Sequence, residues 1–331
     1  MTKNVDTVII GGGVSGLAAA ITLRKKGLEV LLLEKKSVLG GAATSFKYKE
    51  FILDYGPHGF HTDQENLLDD FFYYVKKDNV IKRHKSSQIY YKDNYYNYPL
   101  RMIDLIKNMN LFSIIHAGFS FAYHRLIKLA GFSKDSSAKS WIINRYGRYL
   151  YNEFFGPYTH RVWGVEPSEL ASDFAQDRIP DRNLIEILKS LIFPSYSIKK
   201  EKTVSGRTAQ HDVDVFYYPK KGIRQLIDGM EKSYKDLGGN FNTNCSISKI
   251  IDKNDGFKID FRTNGINSLI ETRKIISTIP ITSFFSCYDV NNKSIKVNLN
   301  NLKIRSLVFL YILLDRNDIL PVQWVYYHDK K

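Results

Sequence analysis

The segment that most constrains this fold is residues 6–16, with the sequence DTVIIGGGVSG. Its apolar run at 8–10 is β-branched throughout, which is typical of a fully buried parallel strand. Three glycines follow in the spacing Gly-x-Gly-x-x-Gly, at Gly11, Gly13 and Gly16. Between a strand and a helix, such a turn brings backbone close to a bound pyrophosphate. The segment therefore predicts the phosphate-binding turn of a dinucleotide-binding fold.

The residues after the turn complete the expected unit. Residues 14–26 (VSGLAAAITLRKK) predict a helix with small residues on its packing face, and Gly27 ends it. Residues 28–34 (LEVLLLE) predict a second apolar strand that ends in Glu34. An acidic residue at that distance is placed to accept hydrogen bonds from an adenosine ribose. Strand, turn, helix, strand and acid in this order argue against a chance glycine turn.

Gly40 and Gly41 form a second glycine pair six residues past Glu34, in the stretch EKKSVLGGAATSF. A second pair lets another backbone segment approach the same phosphates. The stretch resembles the extended FAD-binding fingerprint of the amine oxidase, phytoene desaturase and protoporphyrinogen oxidase flavoproteins, so the resemblance implies FAD as the cofactor. Those proteins usually carry arginine after the pair, where this chain has Ala42. The phosphate contact of that arginine must therefore come from elsewhere.

The segment 51–62 (FILDYGPHGFHT) holds two histidines after the turn pair Gly56 and Pro57. Composition alone indicates a loop whose histidines are incidental. The segment resembles the Asp-x-Gly-Pro-His element by which these flavoproteins approach the isoalloxazine ring. It also resembles the Gly-x-His-x-Phe-His-Thr stretch of UDP-galactopyranose mutases, which share the fold. The resemblance implies that His58 is a catalytic residue near the flavin, with a weaker indication for His61.

One later strand belongs to the same resemblance. Residues 245–251 (CSISKII) predict a strand, and in the resembling flavoproteins the first strand of this region passes the adenine, with Ile247 at the matching position. The residues assigned to FAD binding are Gly11, Gly12, Gly13, Val14, Ser15, Gly16, Glu34, Lys35, Gly40, Gly41, Ala42, Gly56, Pro57, His58 and Ile247. The sequence contains no cluster with metal-ligand spacing, so no metal is predicted.

A second specific segment is residues 141–164 (WIINRYGRYLYNEFFGPYTHRVWG), which predicts a helix, a break at Gly156-Pro157 and a short aromatic stretch. It resembles a segment of bacterial protoporphyrinogen-oxidase-like proteins that ends in a Pro-Tyr-Thr-x-x-Val-Trp-Gly element. For Trp163, core packing is the favoured role and lining of a substrate cavity is the alternative.

The predicted fold class is α/β. It is a doubly wound FAD/NAD(P)-binding Rossmann-like domain with an inserted mixed α+β substrate domain. The FAD-binding domain takes residues 1–90 and 215–290. The substrate domain takes residues 91–214, largely helical, and its sheet resumes at 291–331. Among the remaining elements we expect a hairpin at 88–99, helices at 183–193 and 223–237, an exposed loop at 195–214, and strands at 305–315 and 323–327.

Charge and composition narrow the partners. The formal net charge is +14 over 331 residues, but the lysines are scattered in pairs and no nucleic-acid module is visible. We therefore expect a small-molecule substrate and no nucleic acid. Only two cysteines, Cys245 and Cys287, occur, which suits a reducing compartment, and a cytoplasmic location is expected. The sequence does not predict an oligomeric state.

The apolar stretch 111–131 is interrupted by two histidines, Arg125 and Lys128, so a membrane span is not predicted. An amphipathic face that rests on a membrane stays open as an alternative, and with it a location peripheral to a membrane.

The resemblance implies an FAD-dependent oxidoreductase, an oxidase or desaturase that passes hydride from a bound organic substrate to flavin N5. One alternative is a non-redox flavoenzyme of the UDP-galactopyranose mutase type, in which reduced N5 attacks a sugar carbon. That enzyme needs arginines for a nucleotide diphosphate, and Arg145, Arg148 and Arg161 are candidates. A catalytically inactive relative is the third interpretation.

Flavoproteins of this type end with further sheet strands and a Gly-Asp segment whose helix meets the cofactor. No residue after Trp324 matches that segment. We therefore expect that the sequence is truncated at its C-terminus, with low solubility and weak flavin binding in isolation.

Overall fold

The computed structural model of the protein describes residues 3–91, 93–97, 109–179, 215–288, 298–302, 306–316 and 319–327. The helix predicted at 183–193 and the loop predicted at 195–214 lie outside these residues. Backbone contacts divide the chain into two units. The first unit contains Met1–Lys82 and Tyr217–Leu310, and the second contains Arg83–Phe216 and Tyr311–Lys331. The predicted domain boundaries remain a prediction.

The secondary structure is as follows in chain order. The strands are β1 (Lys3–Ile10), β2 (Val30–Leu33), β3 (Ser45–Tyr48), β4 (Phe51–Asp54), β5 (Val80–His84), β6 (Ser87–Tyr91), β7 (Asn94–Asn97), β8 (Val215–Pro219), β9 (Asn240–Asn242), β10 (Cys245–Lys253), β11 (Gly256–Thr263), β12 (Ile266–Ser277) and β13 (Trp324–Tyr327). The helices are α1 (Val14–Lys25), α2 (Glu65–Val75), α3 (Leu111–Leu129), α4 (Ala138–Leu150), α5 (Gly156–Trp163), α6 (Ser172–Gln176), α7 (Arg224–Asp236) and α8 (Ile281–Cys287).

A six-stranded sheet forms the centre of the first unit, in the order β10-β11-β12-β1-β2-β9. Strands β12, β1, β2 and β9 pair in parallel, whereas β10, β11 and β12 form an antiparallel meander. In β1, Ile9 packs on one face of the sheet, and Val8 and Ile10 pack on the other. Because both faces are covered here, the last three residues of the strand, Val8 to Ile10, are apolar at every position rather than at alternate ones. The predicted α/β class is confirmed.

The core on one face of this sheet joins β1 and β2 to helices α1, α2 and α7. Tyr234 of α7 is its most telling member, since the side chain is fully buried. Its hydroxyl lies 3.0 Å from the carbonyl oxygen of Val30 and 2.9 Å from that of Asn240. The ring therefore fills the core while the hydroxyl links α7 to two neighbouring strands.

The second unit contains a helical cluster and a three-stranded sheet of order β13-β6-β7. Strands β6 and β7 pair antiparallel, which confirms the predicted hairpin, and β13 confirms the predicted strand near Trp324. Helices α3 and α4 cross at Gly147, whose φ is +80°. A Cβ atom there would lie 2.7 Å from the backbone nitrogen of Phe121, so this crossing requires glycine. In the described part of the chain, no helix combines the length and apolar character needed to cross a bilayer.

Two predicted elements are wrong. The chain does not leave the helical path at Gly156-Pro157, because a π-helical turn at Tyr151–Phe155 passes directly into α5. Pro157 lies in the first turn of α5, directly after that π-helical turn.

The buried strand predicted at 305–315 is also wrong. Residues 306–314 form no strand, and their apolar side chains are exposed, with Val308 at 95%. Among the described residues, no strand pairs with this segment. An apolar run alone does not make a strand, since it also needs a neighbour to accept its backbone hydrogen bonds.

We predict that Tyr234→Phe lowers the free energy of unfolding by about 1–3 kcal/mol, because the buried Val30 carbonyl and the partly buried Asn240 carbonyl lose their hydroxyl partner. Burial also raises the pKa of Tyr234 to about 12. That contribution to stability is fully present below pH ~10 and is lost as the pH rises through the folded-state pKa. Urea unfolding at neutral pH and at about pH 11 measures both effects. Tyr73→Phe, at a side chain that is 69% exposed, is the control. Equal stability of the two variants would contradict this account.

Candidate functional site

The glycine turn after β1 is shaped by two of its glycines. Gly11 has φ +103°, and a Cβ atom on it would lie 2.6 Å from the Thr278 hydroxyl oxygen. A Cβ atom on Gly16 would overlap the Gly11 carbonyl oxygen. Both positions therefore require glycine for the turn and helix to pack at all.

Gly13 is different, because the fold does not need it. Its φ is −72°, which any residue adopts. A Cβ atom there would meet nothing closer than the Cα atom of Gly41, at 3.9 Å. The space beside Gly13 is thus open, as expected for a position that a ligand approaches.

The N-terminus of α1 faces the same turn. Among the described residues, no side chain caps this end, and the first turn contains no acidic residue. Val14 and Ser15 are exposed, whereas Gly16 is buried against the sheet. A helix end of this kind offers backbone N–H groups and a partial positive charge to an anion.

The second glycine pair is attached to the first turn. The Gly40 N–H donates a hydrogen bond of 2.8 Å to the Gly12 carbonyl. A Cβ atom on Gly41 would lie 3.2 Å from the Cα atom of Gly13, so the two backbones pass close together. Ala42 is exposed and offers no charge. The Nζ atom of Lys36 lies 3.5 Å from the Gly41 carbonyl, and Arg224 donates to the Leu39 carbonyl at 2.7 Å, so both are cations beside this pair.

Glu34 lies at the end of β2 with only 7% of its surface exposed. Its Oε2 atom accepts a hydrogen bond of 2.6 Å from the Gly12 N–H, and its Oε1 atom accepts one of 2.8 Å from the Lys36 N–H. Each carboxylate oxygen keeps further lone-pair capacity for a ribose hydroxyl. Lys35 next to it is exposed.

Ile247 lies in β10, which starts beside Glu34. The Cys245 N–H donates a hydrogen bond of 2.9 Å to the Glu34 carbonyl. Ile247 is half-buried and packs on the second core of the sheet. The register with β11 shifts between Ile247 and Lys249. The structure thus puts this predicted residue on the strand that starts beside Glu34.

Thr278, which was not among the predicted cofactor-binding residues, holds the glycine turn from the β12 side of β1. Its N–H donates to the Ile10 carbonyl at 2.8 Å. Its hydroxyl lies 3.1 Å from that oxygen and 3.0 Å from the Gly11 carbonyl. The available signal was the position of a hydroxyl residue directly after a strand, β12, that pairs with β1.

The second predicted cluster surrounds His58. Gly56 has φ +113°, and a Cβ atom on it would lie only 3.0 Å from the ring of Phe309. The Nδ1 atom of His58 is buried and makes no hydrogen bond with a described residue. It lies 3.9 Å from the Asp54 carboxylate, too far for a hydrogen bond. Pro57 is exposed, and the Nδ1 atom of His61 lies 3.1 Å from the Gly59 carbonyl.

Asp54 organises the residues around this histidine. Its carboxylate accepts hydrogen bonds from the hydroxyls of Ser45 and Tyr218 and from the Ile223 N–H, at 2.5, 2.7 and 3.2 Å. Burial and this carboxylate raise the pKa of Tyr218 well above its ordinary value, so its hydroxyl stays a donor. Lys221 is exposed, and Gly222 beside it has φ +80°.

These observations fit a bound dinucleotide. Two glycine backbones, an uncapped helix end and a buried acid lie on the same edge of the parallel sheet. Among the described residues, no group of His, Cys, Asp or Glu side chains is arranged to hold a metal ion.

The chain was compared with known proteins. Residues 9–75 match the family model of the NAD(P)-binding Rossmann-like domain. The chain is 21% identical over 266 residues to a carotenoid 3,4-desaturase of Haloarcula japonica, covering 77% of this chain and 52% of that protein. It is 26% identical over 186 residues to a probable UDP-galactopyranose mutase of Klebsiella pneumoniae, covering 54% of this chain and 46% of that protein.

Among solved structures, a reduced UDP-galactopyranose mutase matches with a TM-score of 0.71 at 17% identity, covering 89% of this chain and 60% of that chain. The predicted resemblance to the FAD-dependent amine oxidase-type superfamily is confirmed. The predicted FAD cofactor agrees with this superfamily, whose members bind FAD. The chain spans about half the length of the curated relatives it matches.

We predict that Gly13→Ala folds normally but binds FAD poorly. The added methyl group meets no protein atom closer than 3.9 Å, yet it enters the open space beside the turn. A steric cost of about 1–3 kcal/mol corresponds to a loss of roughly 5- to 150-fold in FAD affinity. Titration with FAD and a thermal melt measure the two properties separately. Gly118→Ala, on an exposed stretch of α3, is the matched control. Unchanged FAD affinity in Gly13→Ala would contradict the assignment.

We predict that Thr278→Val weakens FAD binding roughly 2- to 10-fold, because the turn loses a hydrogen bond worth about 0.5–1.5 kcal/mol. Thr278 is a positioning residue, so Thr278→Ser should restore most of the affinity by keeping the hydroxyl. The measurement is the FAD dissociation constant of all three proteins, with urea unfolding in parallel. If Thr278→Ser binds as poorly as Thr278→Val, the methyl packing and not the hydrogen bond is what matters.

Proposed function

We propose that this protein is an FAD-dependent oxidoreductase, an oxidase or desaturase that acts on a small organic substrate. The observation that carries the proposal is the open space at Gly13 between two glycine backbones, with Glu34 buried beside it. Similarity to a carotenoid desaturase along 77% of the chain supports redox chemistry. When bound, FAD supplies a hydride acceptor at flavin N5.

The residues around the two glycine segments have separate roles in this proposal. Backbone at Gly13 and Gly41 approaches the pyrophosphate, and the N–H groups at the start of α1 donate to it. Glu34 accepts hydrogen bonds from the ribose while its other bonds fix the Gly12 peptide. Lys36 supplies the positive charge that Ala42 lacks.

His58 is the proposed catalytic residue. A buried ring nitrogen without a hydrogen bond is costly unless a ligand satisfies it. We infer that Nδ1 takes its partner from the substrate or cofactor. Asp54 is already bonded to three donors, so it holds the surrounding loop rather than the imidazole.

A second candidate function is the non-redox isomerisation of a nucleotide sugar, supported by the 26% identity to a UDP-galactopyranose mutase. Of the three candidate arginines, Arg145 pairs with Asp135 at 2.8 Å and stacks on Trp141. Arg161 lies 3.5 Å from the Tyr327 carbonyl. Arg148 lines a cavity together with Lys134 and Lys139. This makes Arg148 the candidate diphosphate ligand of the second function. A catalytically inactive relative remains the third candidate.

We also propose a cytoplasmic location with peripheral membrane contact. Both cysteines are unbonded, Cys245 buried and Cys287 partly so. Burial raises the pKa of both thiols, which keeps them protonated and unreactive. Two thiols of this kind suit a reducing compartment.

One reduction experiment separates the two functions. We expect the FAD-loaded protein to lose its oxidised flavin absorbance anaerobically with a carotenoid or an amine, and not to interconvert UDP-galactopyranose before or after dithionite. Interconversion that appears only after dithionite would establish the mutase instead. Absence of both activities would favour the inactive relative.

His58→Ala should lower the rate of flavin reduction by the substrate by roughly tenfold or more, since it removes a group that contacts the reacting molecule in this proposal. His84→Ala, at an exposed histidine, is the control and should leave the rate unchanged. FAD uptake is measured for both variants, so that a binding defect is not mistaken for a chemical one. A normal rate in His58→Ala would remove it from the site.

A further inference from the structure

Helix α3 presents an apolar face to solvent. We define the apolar face of α3 as Leu111, Phe112, Ile115, Phe119, Tyr123, Leu126 and Leu129. At 100° per residue these positions fall within one stripe along the helix. Their side chains are between 49% and 78% exposed, and Phe132 just beyond the helix is 85% exposed. A continuous exposed apolar stripe of this length is rare on a soluble protein and marks a contact surface.

The two cations of α3 lie outside its apolar face and are not fully exposed, unlike those of a usual surface helix, whereas His116 is exposed. Arg125 and Lys128 are half-buried, and Lys128 pairs with Asp135. Residues 111–134 contain no Asp or Glu. The apolar face therefore contains no acidic side chain, and Asp135, the next acid along the sequence, is already paired with Lys128.

A basic cavity of about 370 Å³ adjoins the C-terminal part of this face, and Tyr123 belongs to both. Its lining includes His124 and the cations Lys134, Lys139 and Arg148. Among the described residues, none of these three cations forms an ion pair, although Lys139 lies over the Tyr151 ring at 5.8 Å. No carboxylate lines the cavity.

The hydroxyl groups of the cavity point to the same ligand chemistry. Ser133, Ser137 and Ser140 line it, and the Oγ atom of Ser133 is buried without a hydrogen bond to a described residue. The start of α4 is not itself the anion site, because its N–H groups bond to Leu170, Pro167 and Ser137. Side-chain cations and hydroxyls without acids fit a phosphate group.

We propose that α3 is a membrane-docking helix, whose apolar face enters an anionic bilayer while the adjoining cavity binds a phospholipid phosphate. A helix with a wide apolar face lies in the plane of the interface, and nearby Lys and Arg residues add attraction to anionic lipids. The basic charge of the whole chain, +14, acts in the same direction. An apolar face alone would suit a second copy of the chain equally well, but two copies would bring equal positive charge together. The cavity favours the lipid.

The proposal does not depend on the flavin function, since vesicle binding needs no cofactor. The full chain is co-sedimented with vesicles of phosphatidylcholine alone and of phosphatidylcholine with phosphatidylglycerol. We expect binding to the anionic vesicles at least roughly tenfold tighter than to the neutral ones. The double variant Phe112→Ser/Phe119→Ser should weaken binding to both by about tenfold or more. Lys134→Glu/Arg148→Glu should reduce the anionic binding to the neutral level.

The matched controls are Tyr73→Ser and Lys232→Glu, which remove an exposed aromatic and an exposed cation from the first unit. Both should bind as the wild type does. Phe119→Trp gives a readout that does not require loss of function, because bromine-labelled acyl chains should quench its fluorescence. Tryptophan in Tyr73→Trp should stay unquenched.

Three outcomes would overturn the proposal. One is equal binding to neutral and anionic vesicles. Another is binding of inorganic phosphate by a protein that ignores vesicles, which would make the cavity a site for a free anion. The third is a dimer that Phe112→Ser/Phe119→Ser converts to a monomer without any vesicle binding by the wild type.

Discussion

The first unit depends on the buried carboxylate of Glu34. Its side chain bonds to the Gly12 N–H, which fixes the glycine turn against the end of β2. Its backbone bonds to Asn242 and Cys245, which connect the same residue to the ends of β9 and β10. A buried carboxylate needs hydrogen-bond donors, and here they are the N–H groups of Gly12, in the turn that it holds, and of Lys36. Glu34 therefore joins the glycine turn to the ends of three strands of the sheet.

Local pattern was enough to predict this part of the fold. The apolar run at β1, the glycine spacing and the acid at the end of β2 are neighbours in sequence, and their geometry follows from steric limits on few residues. Thr278 could not be found in that way, because it reaches the turn only through the pairing of β12 with β1. The same limit explains the wrong strand at 305–315, since strand formation depends on a distant neighbour. The assignments of His58 and Ile247 to the flavin and adenine stay predictions.

The apolar stretch at 111–131 contains a helix whose exposed side could not be predicted from the order of its residues alone. In sequence, histidines, arginine and lysine interrupt it, which argues against a span. In the folded chain Lys128 pairs with Asp135, His124 bonds to the Ser120 carbonyl of its own helix and Arg125 is half-buried, while the apolar residues of the stripe are exposed. Interruption of an apolar run therefore excludes crossing a bilayer but says nothing about lying on one. Only the direction in which the helix packs decides that question.

The glycines fall into two groups: those that packing requires, and Gly13, which packing does not explain. Gly11 and Gly16 are explained completely by their own surroundings, since any larger residue would collide with Thr278 or with the turn. Gly147 is explained in the same way by the crossing of α3 and α4. Gly13 has an ordinary φ and open space, so packing gives no reason for it. Because glycine in such a position costs conformational entropy, its presence needs another cause. Close approach of a bound ligand to the Gly13 backbone is the cause that we propose, since the adjacent Gly41 leaves space for it.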